Sequence, residues 1–132
     1  MKDHELIQAA KEARKNARAL YSNFKVGAAL LTEDNQIFTG VNVESSSYGL
    51  TICAERVALT KALSEGAGSF SKIAIVTDAE KLTSPCGACR QLLFDYAPEL
   101  KVIIANIKGE QKEYTLKELF PSPFGPDFLP DK

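Results

Sequence analysis

The spacing of apolar residues predicts an amphipathic helix near the start of the chain, followed by a β-hairpin. Between residues 6 and 20, leucine and alanine recur every three or four positions, and lysine, arginine and glutamate fall mostly between them. This period is typical of a helix with one buried face. Residues 24–31 then form a short, nearly all-apolar run, and residues 36–41 form a second one, as in buried strands. Only Glu33-Asp34-Asn35 and a few neighbours separate the runs, so we expect an antiparallel pair.

Helix-forming stretches alternate with short apolar runs over the rest of the chain. The predicted segments are a helix (54–63), a strand (72–77), a helix (87–96), a strand (102–105), a weaker strand (112–114) and a short helix (115–119). Gly66 is placed to end the first of these helices in a left-handed conformation. Thr115 is predicted to cap the last one, with Glu118 completing a capping box.

The resulting order, αββαβαββα, predicts an α/β fold with three layers and a five-stranded mixed sheet. Strands joined by a helix are expected to be parallel, and strands joined by a tight turn antiparallel. We find no repeat, linker or run of like charge that would divide the chain, so we expect one domain over residues 1–132.

Composition excludes several classes of protein. The 132 residues are 45% hydrophobic and 25% charged, as in ordinary globular domains, and no apolar stretch approaches the roughly 20 residues that a membrane span needs. The net charge of −1 argues against a nucleic-acid footprint, and we expect no membrane partner. The first residues lack the pattern of a secretory signal, so we expect a cytoplasmic protein.

The three cysteines, Cys53, Cys86 and Cys89, are the strongest chemical signal. An odd number of cysteines with no export signal makes a disulfide framework unfavourable and favours a metal or catalytic site. Each lies where a predicted helix begins, and a helix N-terminus stabilises a thiolate. Three thiolates on one zinc ion would leave the fourth position to water, as in catalytic zinc sites, where the pKa of that water falls to about 7.

Two residues beside Cys53 fit such a centre. Glu55 could accept and return a proton if Cys53 lies at the helix boundary and Glu55 in the first turn. Arg56 could hydrogen-bond the sulfurs and offset their excess negative charge.

These motifs together resemble the zinc-dependent cytidine deaminases, specifically the small three-cysteine kind. The resemblance rests on Cys53-Ala54-Glu55-Arg56 and on Pro85-Cys86-Gly87-Ala88-Cys89-Arg90-Gln91. It extends to residues 21–30, 40–44 and 119–128, and so covers nearly the whole chain.

The resemblance implies a role for each matching position. The zinc ligands would be Cys53, Cys86 and Cys89, with one Zn²⁺ per chain, and Glu55 would move protons. Asn42 and Glu44 would bind the ribose hydroxyls, Phe24 would pack against the pyrimidine, and the backbone at Ala54 would contact the base. Phe124 would close the cavity of a neighbouring subunit in a homotetramer, because family members of this size are homotetramers. The implied reaction is hydrolysis of cytidine and 2′-deoxycytidine to the uridine forms and ammonia, in pyrimidine salvage.

Three other interpretations stay open at this stage. Cys86-Gly-Ala-Cys89 could be a redox pair, the cysteines could belong to a non-catalytic zinc module, or the substrate could be a blasticidin-type nucleoside antibiotic. A structural zinc site normally has four protein ligands, and the single histidine, His4, lies far from the cysteines in sequence. The Asn42-x-Glu44 pair favours a true ribose over a modified sugar.

Overall fold

A computed structural model describes residues 1–129, so the last three positions of the predicted domain lie outside the described residues. The helices and strands in chain order are α1 (Asp3–Arg14), β1 (Val26–Thr32), β2 (Ile37–Val41), α2 (Ala54–Ser64), β3 (Phe70–Thr77), α3 (Gly87–Tyr96), β4 (Lys101–Asn106), β5 (Gln111–Thr115) and α4 (Leu116–Leu119). Short 3₁₀ turns lie at Tyr48–Leu50 and Pro126–Phe128. Within this part of the chain, no helix has the length and apolar character needed to cross a bilayer.

The five strands form one mixed sheet in the order β2-β1-β3-β4-β5. β1 is antiparallel to both β2 and β3, β3 is parallel to β4, and β4 is antiparallel to β5. The predicted hairpin and the predicted parallel pairing across α3 are therefore confirmed. Because β2 and β3 run in the same direction, the helices that follow them both begin at the same edge of the sheet.

Both faces of the sheet are buried, which makes the central strands almost continuously apolar. Along β1, Ala28 and Leu30 face the core under α2, α3 and α4, whereas Ala29 and Leu31 face the core under α1. The three-layer α/β/α expectation is confirmed.

Two glycines let helices lie directly on the sheet backbone. A Cβ at Gly27 would be 2.0 Å from the carbonyl oxygen of Ala10 in α1, and one at Gly40 would be 2.4 Å from the carbonyl oxygen of Ala54. No real Cβ tolerates such distances, so only glycine permits this packing. The close contact at Gly40 fixes the first turn of α2 against β2.

The first helix is shorter than its apolar pattern predicts. The pattern continues to Leu20, but α1 ends at Arg14, and Leu20 is 74% exposed. Beyond the helix, the Arg18 N–H donates to the Asn42 carbonyl at 2.9 Å, and the Arg18 carbonyl accepts from the Glu44 N–H at 3.1 Å. This pairing with the segment after β2 requires extended backbone, so it ends the helix early.

Candidate functional site

The three cysteines converge where α2 and α3 begin. Cys53 is the N-cap of α2, Cys86 is the N-cap of α3, and Cys89 lies in the first turn of α3. The Sγ atoms of Cys53 and Cys86 are 3.8 Å apart, those of Cys86 and Cys89 are 3.4 Å apart, and all three lie within 4.8 Å of one another. The expected convergence of the cysteines is therefore present.

This sulfur cluster has the dimensions of a zinc site. Tetrahedral zinc with Zn–S bonds of about 2.3 Å places its sulfurs about 3.8 Å apart, close to the observed separations. Over residues 1–129 the cluster is the one group of three or more cysteine, histidine or acidic side chains whose ligand atoms converge in this way. His4 lies on α1 beside a separate surface cavity. The donor set therefore fits a zinc ion with three protein ligands and one open position.

The hydrogen bonds and charges around the cysteines shift the pKa values of Cys53 and Cys89 in opposite directions. The pKa of the Cys53 thiol falls to about 5, mainly because the Cys89 thiol donates a hydrogen bond to its sulfur and also because Arg56 is close. The pKa of Cys89 is raised by the same hydrogen bond and by burial. Protein groups alone thus stabilise one thiolate and suppress the next, whereas a divalent cation would stabilise all three.

Arg56 supplies positive charge at this cluster. One Nη of its guanidinium donates to the Thr51 carbonyl at 3.1 Å and lies 3.7 Å from Cys53 Sγ. Its pKa is raised above the ordinary value, chiefly by the hydrogen bond to Cys53. The position agrees with the predicted interaction between Arg56 and the sulfurs.

Glu55 is a buried carboxyl group facing the cysteines. The residue is only 5% exposed, although it lies in the first turn of α2, where glutamate is usually solvated. Its pKa is raised, chiefly because burial removes water and also because of the nearby Cys53 charge. A carboxyl group with a raised pKa can both accept and donate a proton near neutral pH, as general acid–base catalysis requires.

A cavity of about 260 Å³ connects these groups to a second polar cluster. Cys53, Glu55 and Cys86 line one part of it, and Phe24, Asn42 and Glu44 also contribute to its wall. Ala54 is fully buried and lines the same cavity. The structure therefore brings together nearly all the site residues predicted from the sequence.

Asn42 and Glu44 hydrogen-bond one another and the segment that leads into β1. Asn42 Nδ2 donates to the Phe24 carbonyl at 2.8 Å and to Glu44 Oε2 at 3.2 Å, and Asn42 Oδ1 accepts from the Val26 N–H. Glu44 also accepts from the N–H groups of Tyr21 and Ser22 and from the Ser22 hydroxyl. The four acceptor positions of the carboxylate are thus used within the chain.

Phe124 lies apart from this cavity. Its side chain is 54% exposed and lines an outer cavity beside α3, and its carbonyl accepts from Gln91 Nε2 at 2.9 Å. The prediction that Phe124 completes a neighbouring subunit's site concerns a second chain, so it stays a prediction.

Sequence reasoning missed several cavity residues, including Ser22, Thr83 and Ser84. They lie in segments without helix or strand, where no periodicity indicates which way a side chain points. Only Ser22 could have been suspected from its residue type, because a serine in a turn often accepts a hydrogen bond from the backbone N–H two residues later. Ser22 does so with the N–H of Phe24.

Comparisons with known proteins agree with this geometry. The family model described as the cytidine and deoxycytidylate deaminase zinc-binding region matches residues 1–105. The cytidine deaminase of Halalkalibacterium halodurans is 46% identical over 127 residues, which is 96% of each chain. The crystal structure of cytidine deaminase from Burkholderia pseudomallei has 48% identity and a TM-score of 0.91, and the match covers 94% of this chain and all of that one. Blasticidin-S deaminase of Bacillus cereus is 35% identical over 129 residues, covering 90% of this chain and 89% of its own.

Proposed function

This chain belongs to the cytidine and deoxycytidylate deaminase family, and from that premise we propose that it is a zinc-dependent enzyme that hydrolyses cytidine and 2′-deoxycytidine to uridine, 2′-deoxyuridine and ammonia. The observation that carries the proposal is the convergence of three sulfurs beside the buried carboxyl of Glu55 in a cavity that also contains Asn42 and Glu44. Zinc held by Cys53, Cys86 and Cys89 would supply the Lewis acidity that makes water a nucleophile at neutral pH.

Glu55 would carry the protons of the reaction. Its carboxylate would accept one proton as water attacks C4 of the pyrimidine, and would deliver that proton to N3. As the C4–N bond breaks, Glu55 would transfer the second proton of the water to the leaving amino group, so that ammonia and the uridine form result. Burial keeps bulk water from competing for these protons, and the raised pKa lets one group act in both directions.

Asn42 and Glu44 would bind the sugar, Phe24 would pack on the base, and the backbone at Ala54 would contact the base edge. The hydrogen bond between Asn42 and Glu44 is long at 3.2 Å and joins two side chains. A ribose hydroxyl could replace it, because a hydroxyl can accept from Asn42 while donating to Glu44. Sugar binding would then leave the other hydrogen bonds of both residues intact.

We further propose a homotetramer with sites at subunit interfaces, acting in pyrimidine salvage in the cytoplasm. Tyr21 and Tyr48 line a surface cavity together with Glu44 and are 55% and 81% exposed, and Leu20 and Leu50, their neighbours in sequence, are 74% and 69% exposed. Exposed apolar groups concentrated in one region are typical of a protein–protein interface. The three cysteines form no disulfide, which fits a reducing compartment such as the cytoplasm.

The test is to incubate the purified protein with cytidine, follow the loss of ultraviolet absorbance and the release of ammonia, and measure zinc per chain in the same sample. We expect turnover and about one zinc per chain. Zinc without turnover would indicate a non-catalytic zinc module, and titratable thiols without zinc would indicate a redox pair. Faster turnover of a blasticidin-type nucleoside than of cytidine would reassign the substrate.

A further inference from the structure

Residues 21–25 pass the cavity without forming helix or strand, yet side chains hold most of their backbone N–H groups in place. Tyr21 and Ser22 donate to Glu44 Oε1 at 3.0 and 2.9 Å, and Phe24 donates to Ser22 Oγ at 3.0 Å. Lys25 donates to Asp78 Oδ2 at 3.2 Å. This segment carries Phe24 into the cavity, so these hydrogen bonds determine where its ring lies.

The Ser22 hydroxyl has two roles among these hydrogen bonds. It donates to Glu44 Oε2 and accepts from the Phe24 N–H. One oxygen atom therefore connects the Glu44 carboxylate with the backbone of Phe24, and both residues line the cavity. A hydrogen bond to an ionised acceptor is roughly twice as strong as a neutral one, so the Ser22 contact is well suited to fix Glu44.

We propose that Ser22 is a positioning residue for nucleoside binding, whose hydroxyl sets the orientation of Glu44 and the placement of Phe24 relative to each other. The inference rests on the function proposed above. Without the hydroxyl, Glu44 Oε2 keeps only the Asn42 donor, which is the one we expect a ribose hydroxyl to replace. The Phe24 N–H would also lose its acceptor.

The position of Ser22 predicts an effect on binding rather than on the chemical step or on folding. Its side chain is exposed, and its hydrogen-bond partners lie in the sugar-binding part of the cavity. The N–H groups of Tyr21 and Ser22 would still donate to Glu44 Oε1, so the segment would stay attached. We therefore expect KM for cytidine to rise about tenfold in Ser22→Ala, with kcat within about threefold of wild type.

The decisive comparison is between Ser22→Thr and Ser22→Val, because threonine and valine have nearly the same shape and differ by the hydroxyl. Ser64→Ala is the matched control, since Ser64 is an exposed serine at the end of α2 whose hydroxyl donates to the Thr60 carbonyl. KM, kcat, zinc per chain and the thermal unfolding midpoint are measured for wild type and all four variants.

We expect Ser22→Val to match Ser22→Ala, Ser22→Thr to keep a KM near that of wild type, and zinc content to be unchanged throughout. An equal KM in the threonine and valine variants would overturn the inference, as would a fall in kcat at constant KM. If the wild type itself does not deaminate cytidine, the proposed function fails and this inference fails with it. If the wild type deaminates cytidine and Ser22→Ala has the same KM as the wild type, this inference is refuted and the proposed function still stands.

Discussion

At the scale of single residues, substitution of the buried Glu55 is the most direct test of the proposed proton transfer. Glutamine has the same shape but can neither accept nor release a proton, so Glu55→Gln should keep zinc and fold and lose nearly all turnover, at least the roughly 10²–10⁴-fold typical of general acid–base catalysis. Steady-state kinetics with cytidine and zinc analysis on the same preparation check this.

Glu65→Gln is the matched control for that variant, because Glu65 is an exposed glutamate at the C-terminal end of the same helix. It should behave as wild type. Substantial turnover by a zinc-containing Glu55→Gln would show that another group moves the protons.

Arg56 should affect retention of the metal. Three thiolates on one divalent cation carry a net negative charge, and Arg56 offsets part of it through its contact with Cys53. Loss of a group that supports a metal ligand typically costs 10–100-fold in metal affinity. Arg56→Gln should therefore lose zinc faster to a chelator, measured with a colorimetric zinc indicator, while Lys61→Gln on the exposed side of α2 should not. Equal release rates would exclude the charge-balancing role.

The cysteines and Glu55 could be predicted from sequence because their chemistry depends on spacing. Two cysteines that are three residues apart in the first turn of a helix direct their sulfurs to the same side. A glutamate two residues after a third cysteine is identified as a catalytic candidate only because that cysteine is a candidate metal ligand. Ser22 could not be assigned in this way. Its role depends on Glu44, which is 22 residues away in sequence and comes within hydrogen-bond distance only in the folded chain.

At the scale of helices and strands, the features that depend only on neighbouring residues were predicted correctly. The capping box predicted from Thr115 and Glu118 is present, and Gly66 has the left-handed φ of +92° expected at a helix end. The end of α1 was predicted wrongly, because the apolar period continues to Leu20 while Arg18 pairs with a distant segment. A tertiary contact thus overrides the helical pattern.

The contact between α2 and β2 predicts that a change in packing at Gly40 affects both stability and catalysis. An added Cβ at Gly40 would overlap the Ala54 carbonyl and the Ala58 nitrogen, both of which are backbone atoms of α2. The helix would have to move, and the turn that holds Cys53 and Glu55 would move with it. Gly40→Ala should therefore lower the free energy of unfolding by about 1–3 kcal/mol or more, as overpacked cores do, and should reduce kcat in the folded fraction.

Denaturant unfolding and kinetics on zinc-loaded protein measure the two effects of Gly40→Ala. Gly68→Ala is the control, since a Cβ at Gly68 meets no atom within 4 Å. A Gly40→Ala variant as stable and active as Gly68→Ala would mean that α2 does not rest on the sheet at this point.

At the scale of the whole molecule, the direction of the strands determines where the site lies. β2 and β3 are both antiparallel to β1, so their carboxyl ends share one edge, and α2 and α3 begin there with Cys53 and Cys86 as N-caps. Ligands bind at this edge in open α/β sheets generally. The sequence predicted the strand directions, because they follow from the type of connection, but it did not predict the order β2-β1-β3-β4-β5 that brings the two helix starts together.

Phe124 provides the test of whether one subunit completes the site of another. In its own chain it lines an outer cavity beside α3, separate from the cavity that contains the cysteines. If Phe124 closes a neighbour's cavity, Phe124→Ala should weaken catalysis at sites whose own Glu55 is intact. Co-expression with Glu55→Gln should then restore activity, because Phe124 of the Glu55→Gln subunits would close the cavities of the Phe124→Ala subunits. The mixed oligomer, purified through two different tags, should have a higher activity per active site than the summed activities of its two parents.

The control pairs Phe124→Ala with the double variant Glu55→Gln/Phe124→Ala, which has no intact Phe124 to supply and should show no gain in activity. A monomeric mass in solution, or equal activity in the two mixtures, would show that Phe124 does not act across a subunit boundary.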